Sequence, residues 1–249
     1  MHARRTQTNE PGRCTALLAA LPSGPLAIVE PGAAAGLCLL LDQYCYHYDE
    51  EVIGPVSSPV QLRCQVDGNA PLPDDVPEVV WRAGMDLSPV DVNSDDDAGW
   101  LLACVWPEHV ERRARLQAAI QLARQMKFEI RQGNIVTDFH SLLADVPTDV
   151  RLVVFHSAVF CYLTQDERRS FTDMLIETSH ERDIVWITNE APSVIDEITQ
   201  LAPPTHQARY LLGRTWLSRG RRRDELLATA QAHGAELTWL AEGEAAAAP

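Results

Sequence analysis

Long apolar runs are missing from this 249-residue sequence. None approaches the roughly 20 residues that a membrane-crossing helix requires, so a membrane partner is not expected. The opening "MHARRTQTNEPGRC" lacks an apolar signal core, and a cytoplasmic location is expected. No C-x-x-C pair occurs among the six cysteines (Cys14, Cys38, Cys45, Cys64, Cys104, Cys161), which read as reduced thiols rather than zinc ligands or a disulfide framework. Positive charge is scarce: the formal net charge is −14, and Lys127 is the only lysine. Acids dominate between Asp42 and Glu111, where Arg63 and Arg82 are the only lysine or arginine residues. Such a surface repels phosphate backbones and argues against nucleic acid as a partner. The one basic run, "SRGRRR" (218–223), leads straight into Asp224 and Glu225 and reads as a solvated loop or helix start.

What is present is alternation. Short β-branched runs separated by longer helical stretches predict a doubly wound, mostly parallel sheet with crossover helices. Strands are predicted at 25–30, 78–86, 127–132, 151–156 and 183–190, and helices at 35–44, 108–126, 138–145, 165–180 and 192–202. After residue 203, "ARYLLGRTWL" (208–217) and "AELTWLA" (235–241) read as two strands that close one edge of the sheet antiparallel, with a partly helical stretch between them. Residues 45–77, with a possible strand at 59–66, interrupt the alternation as an insertion. Residues 1–24 read as an N-terminal helical segment, 25–241 as the α/β domain and 242–249 as a frayed tail. Monomer and homodimer are both open, the "LLGRTWL" edge being the place for pairing.

The stretch "PLAIVEPGAAAGLCLLLDQY" (25–44) carries the first chemical signal. Strand, glycine-rich turn and helix is the layout that brings a ligand to backbone N–H groups. A dinucleotide fingerprint would read G-x-G-x-x-G; here the pattern is E-x-G-x-A-x-G, with Glu30 ahead of Gly32, Ala34 and Gly36. A carboxylate there disfavours pyrophosphate and favours an ammonium-bearing ligand such as S-adenosylmethionine; alternatively, Glu30 only caps the turn. Asp86, in "AGMDLSPVDV" (83–92), is predicted at the carboxyl end of the next strand, where it can accept two ribose hydroxyls or start a turn before Pro89. Asp91, Asp95, Asp96 and Asp97 read as a solvated loop.

His156 ends the fourth predicted strand. It is either a general base facing the crevice or a histidine bonded to a neighbouring loop. Ser157 and Tyr162 are nearby polar groups for an acceptor. Asn189 and Glu190 end the fifth strand; Glu190 reads as a second base, a group for a cationic acceptor, or a helix cap. Tyr44, Tyr46 and Tyr48 line a pocket or pack on one strand face, with packing favoured. Asn9 and Glu10 read as a helix start.

These motifs, in order, resemble those of class I S-adenosylmethionine-dependent methyltransferases: E-x-G-x-A-x-G, G-M-D-L-S-P, "FEIRQGNIVTDF" (128–139) and "DVRLVVFHSAVFCYLTQDERRSF" (149–171). More narrowly, "QTNEPGRC" (7–14), "VEPGAAAGLCLLLDQY" (29–44), "WRAGMDLSPVDV" (81–92), "VVFHSAVFCYL" (153–163), "WITNEAP" (186–192) and "AHGAELTWL" (232–240) resemble the bacterial family DUF2332, which has a methyltransferase-like core. The resemblance implies a seven-stranded sheet of order 3-2-1-4-5-7-6 and methyl transfer to an oxygen or nitrogen of a small-molecule acceptor. It implies donor contacts at Glu30, Gly32, Ala34, Gly36, Asp86, Leu87, Asn134, Ile135 and His156, with Asn134 beside the adenine. His156 and Glu190 would be catalytic, and Ser157, Tyr162, Asn189, Asn9 and Arg13 would meet the substrate. Ala34 stands where the family usually has serine, Cys38 where it has asparagine, and Asn134 where the motif commonly has aspartate. Those departures leave open a non-catalytic or repurposed fold that binds a nucleoside-like or amino-acid ligand.

Overall fold

The structure is a computed structural model, and it describes residues 7–203 and 209–241. Among the described residues eleven strands form one sheet: β1 (Leu26–Pro31), β2 (Cys45–Tyr48), β3 (Glu51–Ile53), β4 (Gln61–Asp67), β5 (Val79–Asp86), β6 (Glu129–Gln132), β7 (Arg151–Ser157), β8 (Ile184–Glu190), β9 (Tyr210–Ser218), β10 (Arg221–Ala230) and β11 (Glu236–Trp239). Their spatial order is β3-β2-β4-β11-β10-β9-β8-β7-β1-β5-β6. The five strands β6-β5-β1-β7-β8 run parallel and reproduce the expected 3-2-1-4-5 core.

Beyond β8 the expectation fails. The sheet has eleven strands rather than seven, and β9 pairs antiparallel with β8 and β10 antiparallel with β9. The stretch expected to be partly helical is the strand β10. The β9–β10 pair lies inside the sheet, because β11 and then β4 follow it. The expected insertion at 45–77 supplies β2, β3 and β4, which extend the sheet, with β2 parallel to β4 and β3 antiparallel to β2.

Helices cover both faces: α1 (Cys14–Ala20), α2 (Asp95–Ala103), α3 (Val110–Ala123), α4 (Phe139–Leu143), α5 (Gln165–Thr178) and α6 (Asp196–Gln200). The acids 95–97 belong to the first turn of α2 rather than to a loop. Ser94 caps that helix by accepting from the N–H of Asp97, and carboxylates suit a helix start. A capping box between Thr164 and Glu167 starts α5. The predicted helix at 35–44 is a 3-10 turn, Leu37–Gln43.

All six residues of β1 are buried, as a parallel strand covered on both faces requires. Leu26 and Ile28 belong to the core cluster that includes residues of α1, the 3-10 turn, α2 and α3, whereas Ala27 and Val29 belong to the one that includes residues of α4, α5 and α6. This two-sided division decides where each candidate residue points. The tail at 242–249 and residues 1–6 lie outside the described residues. Among the described residues no helix is long and apolar enough to cross a membrane.

Candidate functional site

Glu30 lies on the Leu26–Ile28 face of β1, next to the strand's end, and is 4% exposed. Among the described residues its Oε2 has no hydrogen-bond partner. Burial, with Cys38 and Asp86 adding to it, pushes its carboxyl well above the usual glutamate range, against the pull of Arg13. The turn that follows is left-handed at Gly32 (φ 73°), Ala34 (φ 51°) and Gly36 (φ 69°). Ala34 adopts this conformation without glycine's freedom.

Asp86 closes the turn from the neighbouring strand. Its Oδ2 accepts the N–H of Ala34 at 2.9 Å; its Oδ1 accepts the N–H of Ser88 at 2.8 Å and the side-chain amide of Gln7 at 3.1 Å. The Met85 carbonyl accepts the N–H groups of Gly32 and Ala33. Space beside Gly32 is taken by the protein itself: a Cβ there would lie 2.5 Å from a Val159 methyl.

The N-terminal segment straps over this end of the sheet. Asn9 Oδ1 accepts the N–H of Leu37 at 2.8 Å, so Asn9 holds the 3-10 turn after Gly36. Glu10 accepts from Arg112 at 2.8 Å and from Arg115 at 2.9 Å. Burial opposes its ionisation, but Arg115 and Arg112 outweigh it and hold the carboxyl below its ordinary value. Arg13 donates from Nη1 to the carbonyl of Ser157 at 2.9 Å and from Nε to that of Ala232 at 3.3 Å.

His156 does not face this crevice. Successive strand residues alternate faces, and His156, with Val154 and Leu152, points to the α4–α6 side. It is fully buried, stacked on Phe160 with ring centroids 4.0 Å apart. Its Nδ1 lies 2.8 Å from Glu190 Oε1, which also accepts the N–H groups of Val159 (2.8 Å) and Phe160 (3.1 Å). Among the described residues His156 Nε2 and Glu190 Oε2 have no partners. Both residues therefore lie across the sheet from Glu30. Asn189 and Glu190, adjacent at the end of β8, point to opposite faces for the same reason. Asn189 shares the Glu30 face, donates to Ser157 Oγ at 3.0 Å, and keeps Oδ1 buried without a partner among the described residues.

Other candidates scatter. Asn134 Oδ1 accepts the N–H of Val136 at 2.8 Å, a local turn contact. Ile135 is part of the core on the α4–α6 side. Leu87 and Tyr162 are largely exposed. Tyr44, Tyr46 and Tyr48 are buried, their hydroxyls donating to the carbonyls of Leu37, Leu41 and Thr15, so they pack. Sequence reasoning missed Gln7, which lies inside the quoted "QTNE", and Val159, whose apolar side chain carries no chemical signal. It also missed Tyr210, placed beside Glu190 only by the antiparallel β8–β9 pairing, in which Glu190 faces Leu211. A separate open cavity of about 630 Å³ lies between α5 and residues 193–197, but its Arg168 and Arg222 are engaged by backbone carbonyls and carboxylates. Among the described residues no group of three or more His, Cys, Asp and Glu side chains could hold a metal ion.

A family of uncharacterised proteins conserved in bacteria, DUF2332, matches residues 1–239. No curated protein matches the chain. Among solved structures, the CcbJ methyltransferase from Streptomyces caelestis is similar over 96% of this chain and 79% of its own, at 14% identity and a TM-score of 0.30. A superposition that loose carries no inference about ligand or reaction.

Proposed function

This chain belongs to the DUF2332 family, and on the geometry above we propose that it binds S-adenosylmethionine over the ends of β1 and β5 for methyl transfer to an oxygen or nitrogen of a small acceptor. One observation carries the reading: Glu30, buried at the mouth of a left-handed turn, keeps an oxygen without a partner among the described residues. A buried acceptor without a donor is costly, and an ammonium group would satisfy it.

The neighbouring residues fit the rest of such a ligand in part. A carboxylate offers about four acceptor positions, and Asp86 uses three, one of them on the half-buried Gln7 amide. A ribose hydroxyl could take the free position, and a second could replace Gln7. Gly32 offers less, because Val159 occupies its open side. Ala34 and Gly36 shape the turn without adding polar side chains. When bound, the donor would supply an electrophilic methyl carbon. The chain's own contribution is placement, since aligned reactants reach effective molarities of roughly 10⁵–10⁸ M. His156, sealed on the other face, holds Glu190 rather than a substrate proton.

Native mass spectrometry of the purified chain tests this. The expected spectrum shows a bound mass of S-adenosylmethionine or S-adenosylhomocysteine that disappears in Glu30→Gln. Retention of a different small molecule, lost in the same variant, would instead favour a repurposed crevice.

A further inference from the structure

Among the described residues, Arg13 lies at this end of the sheet without a counterion. Arg13 is half-buried and spends Nε and Nη1 on two backbone carbonyls; among the described residues its Nη2 has no partner and its guanidinium forms no ion pair. The two carbonyl bonds aim it at the end of β7 from the turn between β10 and β11, and its charge reaches both Glu30 and Tyr210. Tyr210, also half-buried, opens β9 beside the end of β8, and its hydroxyl has no partner among the described residues. Two buried acceptors complete the surroundings on the same face of the sheet: Glu30 Oε2 and Asn189 Oδ1, both without donors among the described residues.

Unspent donors on Arg13 and Tyr210 thus sit at the same end of the sheet as unspent acceptors on Glu30 and Asn189. We infer that Arg13 and Tyr210 bind the carboxylate of a small amino or hydroxy acid whose N–H or O–H group is received by Asn189 or Glu30. A planar fork matches a carboxylate, and an acid bearing a hydrogen-bond donor satisfies both halves of the set. The chain's net charge of −14 makes the choice selective, since an anion is otherwise repelled from this surface. The inference rests on the crevice assigned above but not on its methyl donor. The acid is either the acceptor or the amino-acid end of the donor itself.

Saturation-transfer NMR on the wild-type chain compares L-serine, L-homoserine and lactate with serinamide and lactamide, which lack the carboxylate. Calorimetry in parallel compares S-adenosylhomocysteine with 5′-methylthioadenosine, which lacks the amino-acid end. Each ligand set is repeated with Arg13→Gln and Tyr210→Phe. Signal for the acids, none for the amides, and a loss of roughly tenfold or more in affinity on Arg13→Gln identify an acceptor acid. A tenfold loss confined to S-adenosylhomocysteine, with 5′-methylthioadenosine unchanged, assigns the same site to the donor. Binding of acids without binding of S-adenosylhomocysteine keeps the carboxylate site and removes the methyl donor. Equal signal from acids and amides in the wild type overturns the inference whether or not the variants fold, and so does unchanged affinity for every carboxylate in Arg13→Gln.

Discussion

His156 Nδ1 and Glu190 Oε1 lie 2.8 Å apart in the buried α4–α6 face, and the same oxygen holds the N–H groups of Val159 and Phe160. That pairing links the ends of β7 and β8 to the side chain that fills the open side of Gly32. Truncating Glu190 leaves three donors unpaired in the interior. Glu190→Ala should cost roughly 2–4 kcal/mol in urea unfolding, since each buried unsatisfied donor costs about 1–3 kcal/mol and relaxation recovers part. Glu190→Gln, which keeps an acceptor oxygen, should cost less than half as much. Equal costs for the two would show that the oxygen is not what matters.

Gly32 and Val159 should behave as a coupled pair. An alanine at 32 meets both a positive φ of 73° and a methyl at 2.5 Å. Gly32→Ala should destabilise by about 1–3 kcal/mol, and Val159→Ala should relieve the steric share while leaving the backbone strain. A double-mutant cycle should therefore return a favourable coupling of about 1 kcal/mol. Strict additivity would mean that the loop at 158–160 moves away without cost.

Glu30 and Glu10 set opposite pH slopes. Glu30 has its folded carboxyl raised by burial, so the folded chain holds that proton more tightly than the unfolded one. Its favourable contribution is complete below the ordinary value of 4.5 and is lost as pH rises above it. Glu10 is lowered despite its burial, because of Arg115 and Arg112, and its contribution is complete above that range and lost as pH falls. In ligand-free thermal melts, Glu30→Gln should gain on the wild type as pH rises from 5 to 8. Glu10→Gln should lose most near neutrality and approach the wild type in acid. Parallel curves for either variant would contradict the assigned environment.

The strap should be structural as well as positional. Glu10 is 4% exposed and carries two arginines that are 16% and 18% exposed. Glu10→Ala leaves those charges half-desolvated without a partner and should cost about 3–5 kcal/mol by chemical unfolding. Glu10→Ala with Arg112→Met and Arg115→Met should recover part of that. No recovery would mean that the ion pairs are not the cause.

The parallel core was legible because strands buried on both faces read as continuous apolar runs, as "PLAIVE" and "DIVWITNE" do. The remainder was not, for two physical reasons. Residues 221–230 are rich in arginine, leucine and alanine, which favour a helix locally, but the segment is a strand because it pairs with β9 and its charges are neutralised across strands, as in Arg214–Glu225 at 2.8 Å. Tertiary pairing overrode propensity. The site failed differently: His156 and Ser157, or Asn189 and Glu190, are adjacent in sequence but on opposite faces, so strand ends alone could not say which lines the crevice. Glu30 and Asp86, one per strand and flanking one turn, are candidates from the sequence because both follow from the strand-turn layout.

Calorimetric titration of the wild-type chain with S-adenosylmethionine is the most direct test of the assigned crevice. Micromolar binding that Glu30→Gln weakens by tenfold or more is the predicted result. No heat at millimolar ligand from a folded protein would contradict it, and the unpartnered oxygen of Glu30 would then belong to some other cation.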